Sequence, residues 1–507
     1  RAGSRSRPRG CVQSPSSGRC PMAAAPRKQY DVCIVGAGPG GLAALSAILE
    51  PYSIDLLAKD QAERAARTPP PVRPSVCVVD PQPWLACWRA RFSALDIGYL
   101  RSPAMAHPDA FDSWSLVQFA HESGRESELL ATDAESWKAI KGLGHAQAGL
   151  FNLPSSQLFL DYCDHLVAKL PHEFVRGKAI SVGGDDGTFE VKVSDGSTVV
   201  AGAVVLALGV PGQRIVPPSF AHVPEHFVFH TEDAGRLAEL RKGQRVLVVG
   251  GGLTAVQAAQ LALKKGCQAT LCSRRQLVTR NFDIPLEWFD SRTQGRLRHD
   301  FWAQPLEERL KHLRATKGGG SVPPRYMEQL QAAEAAGQVE VVCGEAEAGT
   351  VDDGGVAVSI RGQARHFDRI VLACGHRPDC LALPLLRELC ARWPVPVVGG
   401  LPVLSQDLQW GEQNIFVVGA LAGLAVGPDA ANLMGCRRAS QVVAQGLGLR
   451  EWLSATKPIG TPFNVVGNRF AVFDDSGDED TTDVESIDGS LDTVCTGGSP
   501  TSDAADN

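Results

Sequence analysis

At 507 residues, 44% hydrophobic and 21% charged, the chain has the length for two or three domains, the composition of an ordinary soluble globular protein and a core that needs neither disulfide nor metal staples. The net charge of -6 is unevenly placed: residues 1–28 carry Arg and Lys without an acid, residues 474–507 carry Asp and Glu without a base, and the near-neutral body between them gives no footing for nucleic acid. The 14 cysteines include no Cys-x-x-Cys pair, which speaks against a zinc site and a dithiol redox centre, so no metal is expected; a reducing, cytoplasmic setting fits, and no apolar run approaches the roughly 18 residues that span a bilayer.

The sequence opens on Arg1, and residues 1–27, rich in Arg, Ser and Pro, read as a disordered leader unlike a secretory signal. Met22 begins "MAAAPRKQYDVCIVGAG", which has the look of a start site. Residues 1–21 are then translated leader, with an organelle transit peptide as the other reading.

The first structured unit is "YDVCIVGAGPGGLAALSAIL", a β-branched strand, a glycine turn and an Ala/Leu helix. Gly36 permits the tight turn, Gly38 leaves the backbone open to a pyrophosphate, and Gly41 lets helix and strand pack closely, with Gly40 beside it. An anion at this helix N-terminus meets unpaired amides and the positive end of the dipole. The acid expected on the adenosine ribose is Asp80, which ends the strand "VCVVD". It lies farther along than usual because a Pro-rich segment between Pro51 and Pro74 is inserted; a plain strand-end acid is the alternative. Residues 84–120 read as irregular, and Trp84, Trp88 and Trp114 are either a flavin cover or core. Arg101 and His107 are the candidate catalytic residues here, against a surface arginine and a structural loop histidine.

"SSQLFLDYCDHLVAKL" has helical periodicity, residues 173–199 read as hairpin strands, and "AVVLALG" is a buried strand ending at Gly209. A second strand, glycine turn and helix follow in "QRVLVVGGGLTAVQAAQLAL", with Gly250, Gly252 and the permitted Ala255. Thr254 and Gln257 open its helix, Thr254 as a candidate cofactor contact. Its second strand ends in Ser273, Arg274 and Arg275 instead of an acid. Arginine pairs with a 2′-phosphate that an acid would repel, so this turn is expected to take NADPH. Residues 276–325 are an insertion with Trp288, Trp302 and "KGGGSVPP". "RIVLACGHRP" brings Gly375, "IFVVGALAG" brings Gly419, and an acidic, Ser/Thr-rich tail follows that is too polar to order itself.

The paired turns and the strands ending in "LALG" and "LACGHRP" resemble flavoproteins with FAD and NAD(P) domains. "IGYLRSPAMAHPDAFDSWSLVQF", "LPSSQLFLDYCDHL" and "IFVVGALAGLAVGP" resemble segments of the lysine and ornithine N-hydroxylating monooxygenases. The resemblance implies an α/β fold of two doubly wound Rossmann-like domains, the NADPH domain inserted in the FAD domain. FAD would use residues 28–236 and 366–470, NADPH 237–365, and 471–507 would be a disordered tail. It also implies FAD and NADPH as cofactors, with oxygen and a small-molecule substrate, an amine or other nucleophile, as partners. Arg101 and Ser102 stand where those hydroxylases carry Lys-Asp, and Ser156 stands where they carry Arg, so ornithine and lysine are expected to be poor substrates. An NADPH oxidase or flavin reductase without organic substrate, and a non-catalytic redox sensor using the acidic tail, are the other readings.

Overall fold

The computed structural model describes residues 28–49, 73–132, 149–185, 187–289 and 291–448. The leader, most of the Pro-rich insertion and the acidic tail lie outside the described residues, and what is described belongs to one compact unit.

Its centre is a sheet begun by Lys28–Val35, which pairs in parallel with Val76–Asp80 on one side and Thr198–Leu206 on the other. Both neighbours are apolar along nearly their whole length because parallel strands are covered on both faces. Glu173–Arg176 adds the outer edge beside Val76–Asp80. The hairpin Ala179–Asp185 and Thr188–Val193 pairs with the first half of Thr198–Leu206, and Ile415–Val417 pairs with its second half. The helices Pro39–Leu49 and Leu433–Gly446 pack on each other.

A second sheet has five parallel strands, in the order Val228–His230, Arg369–Leu372, Arg245–Val249, Gln268–Ser273, Val339–Cys343. One face is covered by Leu253–Lys264 and Pro324–Ala335, whose Val256, Ala259 and Leu330 meet Val248 and Leu271. The other is covered by an antiparallel meander of Ala346–Asp352, Gly355–Ile360 and Gln363–Phe367, with Val356, Val358 and Phe367 against Leu247 and Ile370. The expected fold class, two parallel Rossmann-like sheets, is the one observed. The sheet pairing also draws Val228–His230 and Arg369–Leu372 into the second domain, beyond 237–365 at each end. The two chain crossings between domains pair with each other, Gly212–Arg214 against His376–Pro378.

Two regions differ from their sequence reading. The stretch 84–120 holds helices Ala86–Ala94 and Ser115–Glu122. In the first, Trp88 and Phe92 are one turn apart and their rings lie 4.9 Å apart, a local contact that supports a helix with no buried face. The insertion folds as helices Ser291–Trp302 and Leu306–Lys317, and its residues 318–323 return as a strap over the second sheet. Among the described residues no helix is long and apolar enough to cross a membrane, and the described cysteines are all free thiols.

Candidate functional site

The first glycine turn does what its spacing demands. Gly36 has φ +116°, and a β-carbon there would stand 2.4 Å from the Ala207 carbonyl oxygen. One on Gly41 would stand 1.9 Å from the Gly36 oxygen, so helix and strand meet backbone to backbone. At Gly38 nothing lies within 4 Å, which leaves an open cradle at the helix N-terminus. Asp80 holds this turn: its carboxylate accepts from the Ala37 amide at 2.8 Å and from the Gln82 amide at 2.8 Å. Two of its lone-pair sites remain for a ribose hydroxyl. The final helix closes the cradle, with the Cys436 Sγ 3.6 Å from the β-position of Gly40 and 3.8 Å from that of Gly419. Gly209, Gly375 and Gly419 all have positive φ, at 72°, 79° and 83°, as the chain leaves each strand.

The second turn has the same tight geometry. A β-carbon on Gly250 would meet the Ala373 oxygen at 2.4 Å. Ala255 is fully buried, and Thr254 stands exposed in the first turn of the helix. The face of Gly252 is covered, however: the Gly320 α-carbon lies 3.6 Å from its β-position. The strap is tied down by Arg101, which reaches it from the first domain. The Arg101 guanidinium donates to the Ser321 Oγ at 2.7 Å, to the carbonyls of Arg280 and Asn281 at 3.0 Å each, and to the Ser321 carbonyl at 3.3 Å. Burial lowers its pKa from the ordinary arginine value, with the Asp283 charge opposing.

Arg101 also lines a cavity of about 70 Å³ with Ser102, Ala106, Phe282, Asp283, Phe289 and Asn432. Three segments meet there: the stretch after the first nucleotide strand, the insertion, and the N-cap of the last helix, where Asn432 accepts from the Gly435 amide at 3.0 Å. Two further arginines fasten the insertion to the last segment. Arg438 donates to Asp429 and to the Trp288 carbonyl, both pair partners being buried, and Arg309 donates to the Leu424 carbonyl at 3.1 Å while stacking over Trp302. Burial brings the Arg438 guanidinium down to about 9 against the pull of Asp429.

His107 is not at this cavity. It is fully buried, 3.4 Å through Nδ1 from the Tyr162 hydroxyl, and burial followed by the Arg437 charge pushes its pKa down to about 3. The enclosed ring, whose Nε2 has no hydrogen-bond partner, lies away from the cavity that Arg101 lines, so the two candidate catalytic residues are not brought together. Arg437 beside it donates to the Ala110 and Met105 carbonyls at 3.1 Å. Two of the tryptophans make structural contacts: Trp84 donates to His172 at 3.1 Å and Trp88 packs on Phe92 and Phe159, while Trp114 stands at the start of the helix Ser115–Glu122. Arg275 lines a second cavity beside the end of Gln268–Ser273, while Arg274 does not. Sequence reasoning missed Asp283, Phe282 and Phe289, which no local pattern marks; Asn432 carries the N-cap signal of a polar residue before an apolar-periodic helix.

At the paired crossings, His230, Glu232 and His376 offer ligand atoms within 4.8 Å of one another, the described group with metal-ligand chemistry. Glu232 is already paired with Arg91 at 2.7 Å, His376 at 2.8 Å and Arg214 at 3.6 Å. Two guanidinium groups on the one carboxylate oppose a divalent cation, and the cluster is an ion network that ties the two domains.

The geometry defines the class: two dinucleotide-type glycine turns, one at the strand ends of each parallel sheet, joined by a paired hinge. Comparison with known proteins carries this further. Residues 116–295 match the family model described as pyridine nucleotide-disulphide oxidoreductase. Ornithine hydroxylase of Pseudomonas aeruginosa is similar in structure at 18% identity and TM-score 0.60, over 83% of this chain and 99% of that one. The ornithine N-hydroxylase of Kutzneria sp. 744, solved with reduced FAD, NADP+ and L-ornithine, is similar at 17% identity and TM-score 0.61, over 84% and 100%. The FAD-bound cadaverine monooxygenase of Erwinia amylovora is similar at 16% identity and TM-score 0.62, over 86% and 98%. In sequence, the ferredoxin–NAD(+) reductase component of the anthranilate 1,2-dioxygenase system of Burkholderia cepacia is 37% identical over 82 residues, which span 16% of this chain and 20% of that protein. Residues 116–295 are thus similar to that oxidoreductase model, and the chain shares its fold with these amine-hydroxylating monooxygenases.

Proposed function

We propose that this chain is an FAD-dependent monooxygenase that takes its electrons from NADPH and acts on a small amine or other nucleophile. The observation that carries it is the open cradle before Gly38, held by Asp80 and closed by the last helix, with a cavity at the N-cap of that same helix. Bound FAD would supply the redox chemistry: NADPH gives two electrons, one atom of molecular oxygen enters the substrate, and the other leaves as water.

The protein's own part is binding, orientation and exclusion of water. The amides of the helix Pro39–Leu49 and the space at Gly38 would hold the FAD pyrophosphate, and Asp80 its ribose. Gly250, Gly252 and the start of Leu253–Lys264, with Thr254, would hold NADPH once the strap lifts. The cavity walls point to the substrate. With the strap in place, Arg101 gives four of its five N–H donors to Ser321 and to 280–281, which leaves it little capacity for a substrate carboxylate. Asp283, which lines the cavity with Phe282 and Phe289, suits an ammonium group. An amine without a nearby carboxylate fits these walls better than an amino acid does.

The small cavity favours a second reading, an NADPH oxidase with no organic substrate. Both are tested on the purified protein by its flavin spectrum and by NADPH and oxygen consumption with and without diamines and monoamines. Amine-dependent NADPH use with less than one peroxide per NADPH supports the monooxygenase; one peroxide per NADPH in every condition replaces it with the oxidase.

A further inference from the structure

The second domain has a cavity of about 120 Å³ lined by Ser273, Arg275, Gln276, Leu277, Cys343 and Arg361, with Val341 and Val342 beneath. It sits at the carboxyl ends of Gln268–Ser273 and Val339–Cys343, where parallel sheets take their ligands. It adjoins the second glycine turn, since the Ser273 Oγ stands 2.4 Å from the β-position of Gly251. Two arginines and no carboxylate line it, a charge pattern for a dianion, and the Arg275 guanidinium lies against Gly319 of the strap, 2.7 Å through its central carbon from the β-position there.

Arg361 arrives from a distant part of the chain. It sits with Gly362 in the two-residue turn between Gly355–Ile360 and Gln363–Phe367, at φ +53° and +76°. That turn favours Asn or Gly at its first position, and an arginine there is held against its backbone preference. Its stem crosses Gly344, whose missing β-carbon would stand 3.0 Å from the Arg361 Cγ. Its Nε donates to the Cys343 carbonyl at 2.6 Å, which fixes the group at the cavity edge. Arg365, on the following strand, is instead neutralised by Glu340 at 2.5 Å.

We infer that Arg361 and Arg275 form the two sides of a clamp for the 2′-phosphate of NADPH, with Arg361 the residue that sets NADPH over NADH. This rests on the NADPH reading above. Paired guanidinium contacts to a phosphate are strong and geometrically selective.

The test is calorimetric and needs no turnover: the flavin-loaded full chain is titrated with 2′,5′-ADP and with 5′-AMP. The wild type is expected to bind 2′,5′-ADP about ten- to a hundredfold more tightly. Arg361→Gly, which suits the positive φ and keeps the fold, should lose most of that ratio with 5′-AMP binding unchanged. Arg361→Lys should restore part of it, and Arg365→Ala, which removes the same charge nearby, should keep the wild-type ratio. A wild type with no preference for 2′,5′-ADP overturns the NADPH reading itself. A wild-type preference that survives in Arg361→Gly overturns only the assignment of Arg361.

Discussion

Gly320 lies directly on Gly252, its α-carbon 3.6 Å from where a β-carbon on Gly252 would stand. The matching position at Gly38 in the first domain is open to 4 Å. The two turns have the same backbone logic and opposite accessibility. The first is open as it stands, and the strap lies against the second. Arg101, which follows the first nucleotide-type strand unit, holds the strap that lies on the second turn.

Arg101→Ala should therefore loosen the strap. The substitution removes four hydrogen bonds to residues 280, 281 and 321. Tryptic cutting after Lys317 should speed up several-fold, and the KM for NADPH should fall. Cutting at the wild-type rate would show that the strap is held by other contacts.

Gly38→Val separates cofactor binding from folding. The position has room for a side chain in the protein alone, so the melting temperature without flavin should stay within about 2 °C of wild type, a shift of under ~1 kcal/mol. The purified variant should have lost most of its FAD. Full flavin occupancy in this variant would remove the turn from the FAD site.

The first turn was legible in the sequence because its glycine spacing follows a strand and opens a helix, with Gly41 packing on Gly36, although Gly36 itself is required by the distant Ala207 carbonyl. The second was legible as a turn but not as a covered one, since Gly318–Ser321 reaches it only through the tertiary fold. His107 in "AHPD" reads as a polar loop residue; Tyr162 and Arg437, from two distant helices, bury it. The parallel strand Arg369–Leu372 closes the second sheet by pairing with Arg245–Val249, a long-range pairing that chain order assigns to the wrong side of the boundary. Arg274 and Arg275 are adjacent and identical in type, and only the fold distinguishes them, since Arg275 lines the second cavity and meets Gly319.

His107 should make the protein acid-sensitive. Its pKa is about 3 folded against 6.5 in an unfolded chain. Between those values the unfolded state binds a proton that the folded state does not, so stability falls as pH drops below 6.5, by about 2 kcal/mol at pH 5. His107→Asn should flatten the stability difference between pH 7 and pH 5 by about that amount in denaturant titrations. An equal pH slope in both proteins would place the titration elsewhere.

Asp429 and Arg438 are a buried pair, with side chains 0% and 5% exposed. Removing the carboxylate leaves a charged guanidinium in the core, and breaking such pairs costs about 3–5 kcal/mol. Asp429→Asn should lower the melting temperature accordingly. Because Arg438 also holds the Trp288 carbonyl, the insertion should become more susceptible to proteolysis than the sheets. Uniform loss of protection across the chain would mean the pair does not specifically dock the insertion.

Asp283 decides what the cavity is for. It is the acidic residue among the lining groups, beside Phe282 and Phe289, and Arg101 next to it is committed to backbone carbonyls. If the carboxylate receives a substrate ammonium, Asp283→Asn removes one charge-assisted contact worth about 1.5–3 kcal/mol, roughly ten- to a hundredfold in KM for an amine. Asp283 touches neither glycine turn, so flavin content and the rate of anaerobic flavin reduction by NADPH should not change. The pair of readouts separates the two functional readings. A monooxygenase would show a raised amine KM and more peroxide released per NADPH in the variant at a fixed amine concentration, because less of the oxygen chemistry is captured by substrate. An oxidase would show the same oxygen and NADPH stoichiometry in both proteins with every amine tried. In that case the carboxylate serves only to balance Arg101, and the cavity that it lines with Phe282 and Phe289 is not a substrate site.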